Sequence, residues 1–148
     1  MQKVIECKDE RETAEFGRLL AGELAPGAVI ALDGALGCGK TALTRAIARG
    51  LGIKEPVVSP TFTIMREYTD GRLPLYHFDV YRISEPDEMY ELGYEEYFYG
   101  EGITVVEWAN LIDGLIPRGA IHILMEKDAT EGFDYRRITV MRKGELPI

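Results

Sequence analysis

The sequence reads as a single α/β domain built around a phosphate-binding loop, and three observations carry that reading. Gly34-Ala35-Leu36-Gly37-Cys38-Gly39-Lys40-Thr41 fits the pattern G-x-x-x-x-G-K-[ST] at every fixed position. The flanks are the ones this pattern requires. Ala28-Val29-Ile30-Ala31-Leu32 is a short apolar run suited to a buried strand. Leu43, Ala46, Ile47 and Leu51 then share one face of a helix that stops near Gly50 and Gly52. Finally, 148 residues without an internal repeat, a low-complexity tract or a linker is the length of one domain, residues 1–148, with a real core.

The chemistry of anion binding asks for these residue types. Gly34, Gly37 and Gly39 let the backbone turn tightly and bring its N–H groups close to phosphate oxygens. Lys40 supplies a mobile positive charge for the β- and γ-phosphates. The Thr41 hydroxyl is the usual inner ligand of a nucleotide's Mg²⁺. A helix starting at this point directs its unpaired N–H groups at the anion. A glycine turn that merely links strand to helix would leave the Lys-Thr pair unexplained.

Composition narrows the class. With 46% hydrophobic and 28% charged residues, the chain has the make-up of a soluble globular protein. No apolar run approaches the ~18–20 residues of a membrane span, so no membrane association is expected. Met1-Gln2-Lys3-Val4-Ile5-Glu6 lacks the apolar centre of a signal peptide, and the cytoplasm is the expected compartment. A net charge of −8 argues against an independent grip on a nucleic-acid backbone, which needs clustered Lys and Arg. Service in an RNA pathway would then run through a protein partner. Cys7 and Cys38 read as reduced thiols, and Cys38 as a small residue that fits the loop.

In chain order, Val4 to Cys7 suits a short edge strand. Asp9 and Glu12 form a capping-box-like pair opening a helix whose buried face is Phe16, Leu19, Leu20 and Leu24, ended by Pro26-Gly27. After the loop unit, Pro60 forces an extended entry and Phe62 to Tyr68 reads as a strand. The hydroxyls of Ser59, Thr61 and Thr63 fit ordinary turn and strand chemistry. They equally fit a switch-like segment approaching a metal or a γ-phosphate. Asp70-Gly71 is a hairpin signal, with Leu73 to Tyr81 as the returning strand. Alternation there puts His77, Asp79 and Tyr81 on one face, Phe78 and Val80 on the other. Such a row can hold a metal or orient water, although composition alone favours a solvated face.

Ser84 to Glu88 opens an acidic helical turn, and Tyr90, Tyr94, Tyr97 and Tyr99 read as packing rather than ligand stacking, with any exposed part a candidate partner surface. Ile103-Thr104-Val105-Val106-Glu107-Trp108 is an apolar strand ending in a carboxylate. An acid at such a tip needs a partner, and a metal supplies one. Asn110 to Leu115 reads as helical, Ala120 to Met125 and Tyr135 to Met141 as closing strands, and 143–148 as a loose tail.

Taken together, the loop, Ser59-Pro60-Thr61-Phe62-Thr63, His77-Phe78-Asp79-Val80-Tyr81-Arg82 and Val106-Glu107-Trp108 closely resemble, in order and spacing, the TsaE (YjeE/YdiB) family over roughly Cys7 to Val140. These are small bacterial ATPases needed for the N6-threonylcarbamoyladenosine modification of tRNA. The resemblance implies a P-loop NTPase-like domain, its sheet mixed, with helices on both faces and an antiparallel hairpin. It implies ATP or ADP and Mg²⁺ as ligands and TsaD and TsaB as partners, with tRNA reached only through their assembly. ATP binding and hydrolysis would support turnover, while the carbamoyl transfer itself belongs to TsaD.

Residue by residue, the resemblance gives the phosphates to Gly37, Cys38, Gly39, Lys40, Thr41 and Ala42. It gives Mg²⁺ to Thr41 and Glu107, and placement of metal or water to Asp79. Thr61 joins the switch-like segment and Trp108 the site wall, while Thr13 and Arg136 fall near the adenine. Ala35 departs from the acid many relatives carry there, and Cys38 from their usual Ala or Ser. The expected activity is a weak Mg²⁺-dependent ATPase. Lys40, Asp79 and Glu107 would be its catalytic residues and Arg82 the candidate arginine finger. A small-molecule kinase and a nucleotide-dependent interaction module with incidental hydrolysis are the rival readings. The kinase lacks an arginine-rich lid segment in this sequence.

Overall fold

The computed structural model describes residues 2–60 and 62–142. The expectations for Thr61 and for the tail at 143–148 lie outside them. Strand β1 (Gln2–Cys7) leads into helix α1 (Glu10–Glu23), strand β2 (Val29–Gly34) and helix α2 (Lys40–Gly50). A hairpin of β3 (Met65–Tyr68) and β4 (Leu75–Asp79) follows. Two short helices, α3 (Glu88–Glu91) and α4 (Tyr94–Phe98), precede β5 (Ile103–Glu107). A 3-10 helix (Ala109–Leu115) and the strands β6 (Ile121–Glu126) and β7 (Arg136–Arg142) complete the chain.

The strands form one mixed sheet in the order β1-β7-β6-β2-β5-β4-β3. Its centre is parallel: β2 lies between β5 and β6, and β4 runs beside β5. Antiparallel pairs close both margins, β3 on β4 at one side and β7 with β1 at the other. The central strands are apolar on both faces because helices cover both. Along β2, Ile30 and Leu32 enter the core beneath α1 and α2, together with Leu43, Ile47 and Leu51. Val29 and Ala31 enter the opposite core with Phe78, Val106, Met89 and Phe98. Each such buried aliphatic or aromatic side chain contributes roughly 1.5–3 kcal/mol of transfer free energy.

Helix α1 starts as its sequence dictates. The Asp9 carboxylate accepts from Glu12 N–H at 3.0 Å, and the Glu12 carboxylate accepts from Lys8 N–H at 2.8 Å. Of its expected buried face, Phe16, Leu20 and Leu24 pack on the core, while Leu19 is 56% exposed; Thr13, Gly17 and Ala21 are buried beside them. Helix α2 approaches so closely that a Cβ on Gly17 would sit 2.6 Å from Ala46 Cβ, and one on Gly50 2.6 Å from Ala21 Cβ. Small residues thus set the contact, and bulk at position 19 is left for the solvent side.

The hairpin is shorter than its pattern. Ile64 N–H donates to the Pro60 carbonyl at 3.0 Å, and Ile64 itself has a left-handed φ of 68°. This turn delays β3 until Met65, so the strand expected from Phe62 begins three residues later. The returning strand covers Leu75–Asp79 rather than Leu73 to Tyr81. Of the tyrosines, Tyr94 is buried against Phe98 with ring centroids 5.0 Å apart, and Tyr97 stacks edge-on to Tyr76 and Phe78, as packing requires. Tyr90 and Tyr99 are exposed. No helix among the described residues is long and apolar enough to cross a membrane.

Candidate functional site

The loop between β2 and α2 has a backbone that only its glycines permit. Gly34 has a φ of 153°, and a Cβ there would lie 2.5 Å from Cys38 Sγ and 2.6 Å from the Met125 carbonyl oxygen. Gly37 and Gly39 also have left-handed φ values, 81° and 103°. Gly39 is the N-cap of α2 and brings no side chain to it, so the first N–H groups of the helix are left for an external acceptor. Arg136 braces the loop from β7: its Nε donates to the Cys38 carbonyl at 2.6 Å. Lys40 is 5% exposed. Its ammonium donates to the carbonyls of Gly34 at 2.7 Å and Ala35 at 3.1 Å and lies over the Trp108 ring.

Two open cavities meet at this loop. The first, about 400 Å³, has Gly37, Gly39, Lys40, Thr41 and Ala42 on one wall. Facing them are Ser59, Asp79, Tyr81 and Arg82 from the hairpin side and Glu107 with Trp108 from the tip of β5. The second, about 390 Å³, is lined by Thr13 of α1, Arg136 of β7, Cys38 and Met125. Gly39 and Ala42 line both. Each volume is in the range of small-molecule sites. Of the expected site residues, Gly34 alone among those described lines neither cavity. Its part is to accept the Lys40 ammonium and to let the loop pass Cys38 and Met125. The Cys38 side chain is buried, as a small residue that fits the loop should be.

The topology brings Glu107 to the site. Because β5 lies beside β2, its last residue stands opposite the start of α2, and Asp79 on β4 is in register with it. The Thr41 hydroxyl lies 3.0 Å from Glu107 Oε1 and 3.2 Å from Oε2. The corner after Glu107 is tightly held. Trp108 has a left-handed φ of 62° and donates its N–H to the Leu32 carbonyl at 3.0 Å, and Asn110 N–H donates to the Asp33 carboxylate at 2.9 Å. Among the described residues, Ile64 and Trp108 are the only non-glycines in the left-handed region; Trp108 lines the first cavity, and the Ile64 carbonyl accepts from Asp79 N–H at 2.8 Å. Such backbone is maintained only where its surroundings over-determine it.

The polar row of β4 is not a solvated face. His77 is completely buried, and its Nε2 meets Glu107 Oε2 at 2.5 Å. Asp79 is half-buried: its Oδ2 accepts from the Ser59 hydroxyl at 3.2 Å and its Oδ1 from Tyr81 N–H at 3.1 Å. Tyr81 is exposed and stacks against Trp108 at 4.7 Å. The reason is tertiary: this face of β4 lies on the core beneath α1 and α2, where Leu75 belongs to the same cluster as Leu43 and Ile47. Of the three hydroxyls in the preceding segment, Ser59 reaches the site, while Thr63, in the turn, donates to the Met65 carbonyl at the start of β3. Arg82 lies in the cavity wall with its guanidinium 5.5 Å from the Phe62 ring centroid.

Thr44 is a site-bordering residue that the motif did not single out. Its hydroxyl lies 3.3 Å from Glu107 Oε2 and 3.0 Å from the Lys40 carbonyl. The available signal was spacing, since Thr41 and Thr44 are three apart and share one helix face.

The donors suit a hard cation. Thr41 and Glu107 offer oxygen at the cavity, and among the described residues no group of three or more His, Cys, Asp or Glu forms a cage. Mg²⁺ characteristically takes one or two protein oxygens and completes its shell with phosphate and water. The residues therefore fit the metal that the loop implies.

A glycine cradle at a helix N-terminus, facing a carboxylate at the tip of the adjacent parallel strand, defines a P-loop NTPase-like protein. A family model described as threonylcarbamoyl adenosine biosynthesis protein TsaE matches residues 7–138. The chain belongs to the TsaE family. It is 47% identical over 133 residues to the tRNA threonylcarbamoyladenosine biosynthesis protein TsaE of Bacillus subtilis, covering 90% of this chain and 81% of the relative. The Treponema pallidum protein of the same name is 39% identical over 116 residues, 78% of this chain and 85% of the relative. The crystal structure of Bacillus subtilis YdiB superposes with a TM-score of 0.83 at 41% identity, covering 97% of this chain and 87% of YdiB.

Proposed function

We propose that this protein binds ATP with Mg²⁺ and hydrolyses it slowly, acting with TsaB and TsaD in the threonylcarbamoyladenosine modification of tRNA. The observation that carries the proposal is the Thr41 hydroxyl 3.0 Å from the Glu107 carboxylate, at the wall of a cavity whose other side is the phosphate loop. The names of the relatives supply the pathway. The net charge of −8 agrees with tRNA being reached through partner proteins rather than gripped directly.

Phosphoryl transfer to water needs positioning and charge neutralisation rather than covalent chemistry. In this reading Lys40 exchanges the carbonyls of Gly34 and Ala35 for the β- and γ-phosphate oxygens. The first-turn N–H groups of α2 hold the phosphates, and Thr41 and Glu107 hold the metal. Bound there, Mg²⁺ neutralises charge on the β- and γ-oxygens. Asp79, half-buried and fixed by Ser59 and the Tyr81 N–H, orients the attacking water. The base and ribose occupy the second cavity between Thr13 and Arg136. Arg82, turned against Phe62, is available to be redirected when partners dock.

A steady-state ATPase assay with and without TsaB and TsaD tests the reading. The expected result is slow release of free phosphate by the protein alone and a clear rise with both partners. Fast hydrolysis by the isolated chain, or transfer of phosphate to a metabolite, would refute it.

A further inference from the structure

We infer that His77 and Thr44 are positioning residues that anchor one oxygen of Glu107 inward, so that its other oxygen, beside Thr41, is the one presented to the metal. The inference rests on the Mg²⁺–nucleotide reading above and adds to it the means by which the carboxylate is oriented.

The two oxygens of Glu107 have unequal surroundings. Oε2 meets His77 Nε2 at 2.5 Å, the Thr44 hydroxyl at 3.3 Å and the Thr41 hydroxyl at 3.2 Å. Among the described residues, Oε1 has Thr41 alone, at 3.0 Å. Both hydroxyls are shared, Thr44 with the Lys40 carbonyl and Thr41 between the two oxygens. A hydroxyl has one proton to give, which leaves the imidazole as the one undivided donor to Oε2. Histidine is otherwise a poor choice for this position. It is completely buried in β4, and its Nδ1 has no hydrogen-bond partner among the described residues. An apolar side chain would avoid that orphaned nitrogen. What histidine adds is the bond from Nε2, which holds the Glu107 side chain in one rotamer with Oε1 toward the cavity. Groups behind a metal ligand commonly act in this way, and their loss typically lowers metal affinity about 10–100-fold.

The test compares wild type with H77L, H77Q and T44V. Calorimetry measures nucleotide affinity in EDTA and the Mg²⁺ midpoint at fixed ATP, and thermal melting checks the fold. H77L is expected to raise the Mg²⁺ midpoint about tenfold or more while metal-free affinity stays unchanged. H77Q, whose amide N–H reaches the place of Nε2, is expected to restore the wild-type midpoint. T44V is expected to give a smaller rise than H77L. A folded H77L with the wild-type midpoint overturns the inference, as does equal weakening with and without Mg²⁺, which marks a merely structural role. Where H77L does not fold, T44V decides, and an unchanged midpoint there overturns the inference. A wild-type chain that takes up no nucleotide in either condition overturns the nucleotide reading and the positioning role with it. Wild-type uptake with an unshifted H77L leaves the nucleotide reading standing.

Discussion

The ammonium of Lys40 lies 3.9 Å from the centroid of the Trp108 indole. The indole follows the carboxylate at the tip of β5, so the cation of the phosphate loop and the wall opposite it are in direct contact. Cation–π attraction of this kind is worth about 0.5–2 kcal/mol. That is small beside the charge-assisted bonds phosphate offers, so the contact holds Lys40 in place without competing with a ligand.

Trp108 is the sole tryptophan of the chain, so its emission reports on this contact. Adding ATP with Mg²⁺ is expected to change the intrinsic fluorescence as Lys40 shifts toward phosphate. Lys40→Ala removes bonds worth about 1.5–3 kcal/mol, so nucleotide affinity should fall at least roughly tenfold. A titration in which K40A binds as tightly as wild type would refute the role of the lysine.

Glu107→Gln keeps the volume and removes the negative charge. Its expected effect is confined to the metal-dependent step: Mg²⁺-dependent phosphate release falls about 10–100-fold, and ADP affinity in EDTA is preserved. Phosphate release measured across a magnesium series decides the matter. An E107Q profile overlying that of wild type would remove Glu107 from the metal site.

Gly17→Val places a branched side chain where a single Cβ already meets Ala46 at 2.6 Å. Forcing α1 off α2 should cost about 1–3 kcal/mol. Urea unfolding is the measurement, with the midpoint lowered and the slope kept. A midpoint equal to that of wild type would show that the helices tolerate separation.

Asp70 provides a pH-dependent prediction. Its Oδ2 accepts from Lys54 N–H at 2.8 Å and Glu55 N–H at 3.1 Å, and the Lys54 bond foremost holds the carboxyl below its ordinary range. A folded value below the unfolded one means the stabilisation is present above the unfolded pKa of about 3.9 and is lost as pH falls through the folded value. Melting temperatures of wild type and Asp70→Ala should therefore differ near neutrality and converge in acid. A gap that stays constant down to acid pH would contradict this linkage.

The features legible in the sequence are those made by neighbours in the chain. The loop from Gly34 to Thr41, the capping pair Asp9 and Glu12, the buried face of α2 and the carboxylate closing β5 all stand where local pattern put them. The expectation of thiols outside a disulfide framework holds: Cys7 and Cys38 are free. Less was legible where packing against distant residues decides. Leu19 matches a helical stripe yet faces water, because α1 meets α2 through Gly17 and Ala21. The polar alternation of β4 reads as a solvated face, and only the core packed beneath α1 and α2 buries it at His77.

The sequence by itself therefore determined a phosphate cradle and a strand-end acid, because glycine geometry, helix capping and strand alternation act over a few residues. Tertiary structure decided that the two oxygens of that acid have unequal partners. It brought Thr13 and Arg136 to one cavity from opposite ends of the chain and set His77 beside Glu107. Those placements depend on the order β6-β2-β5-β4 in the sheet. Strand order is a compromise among long-range burials that no stretch of sequence encodes locally.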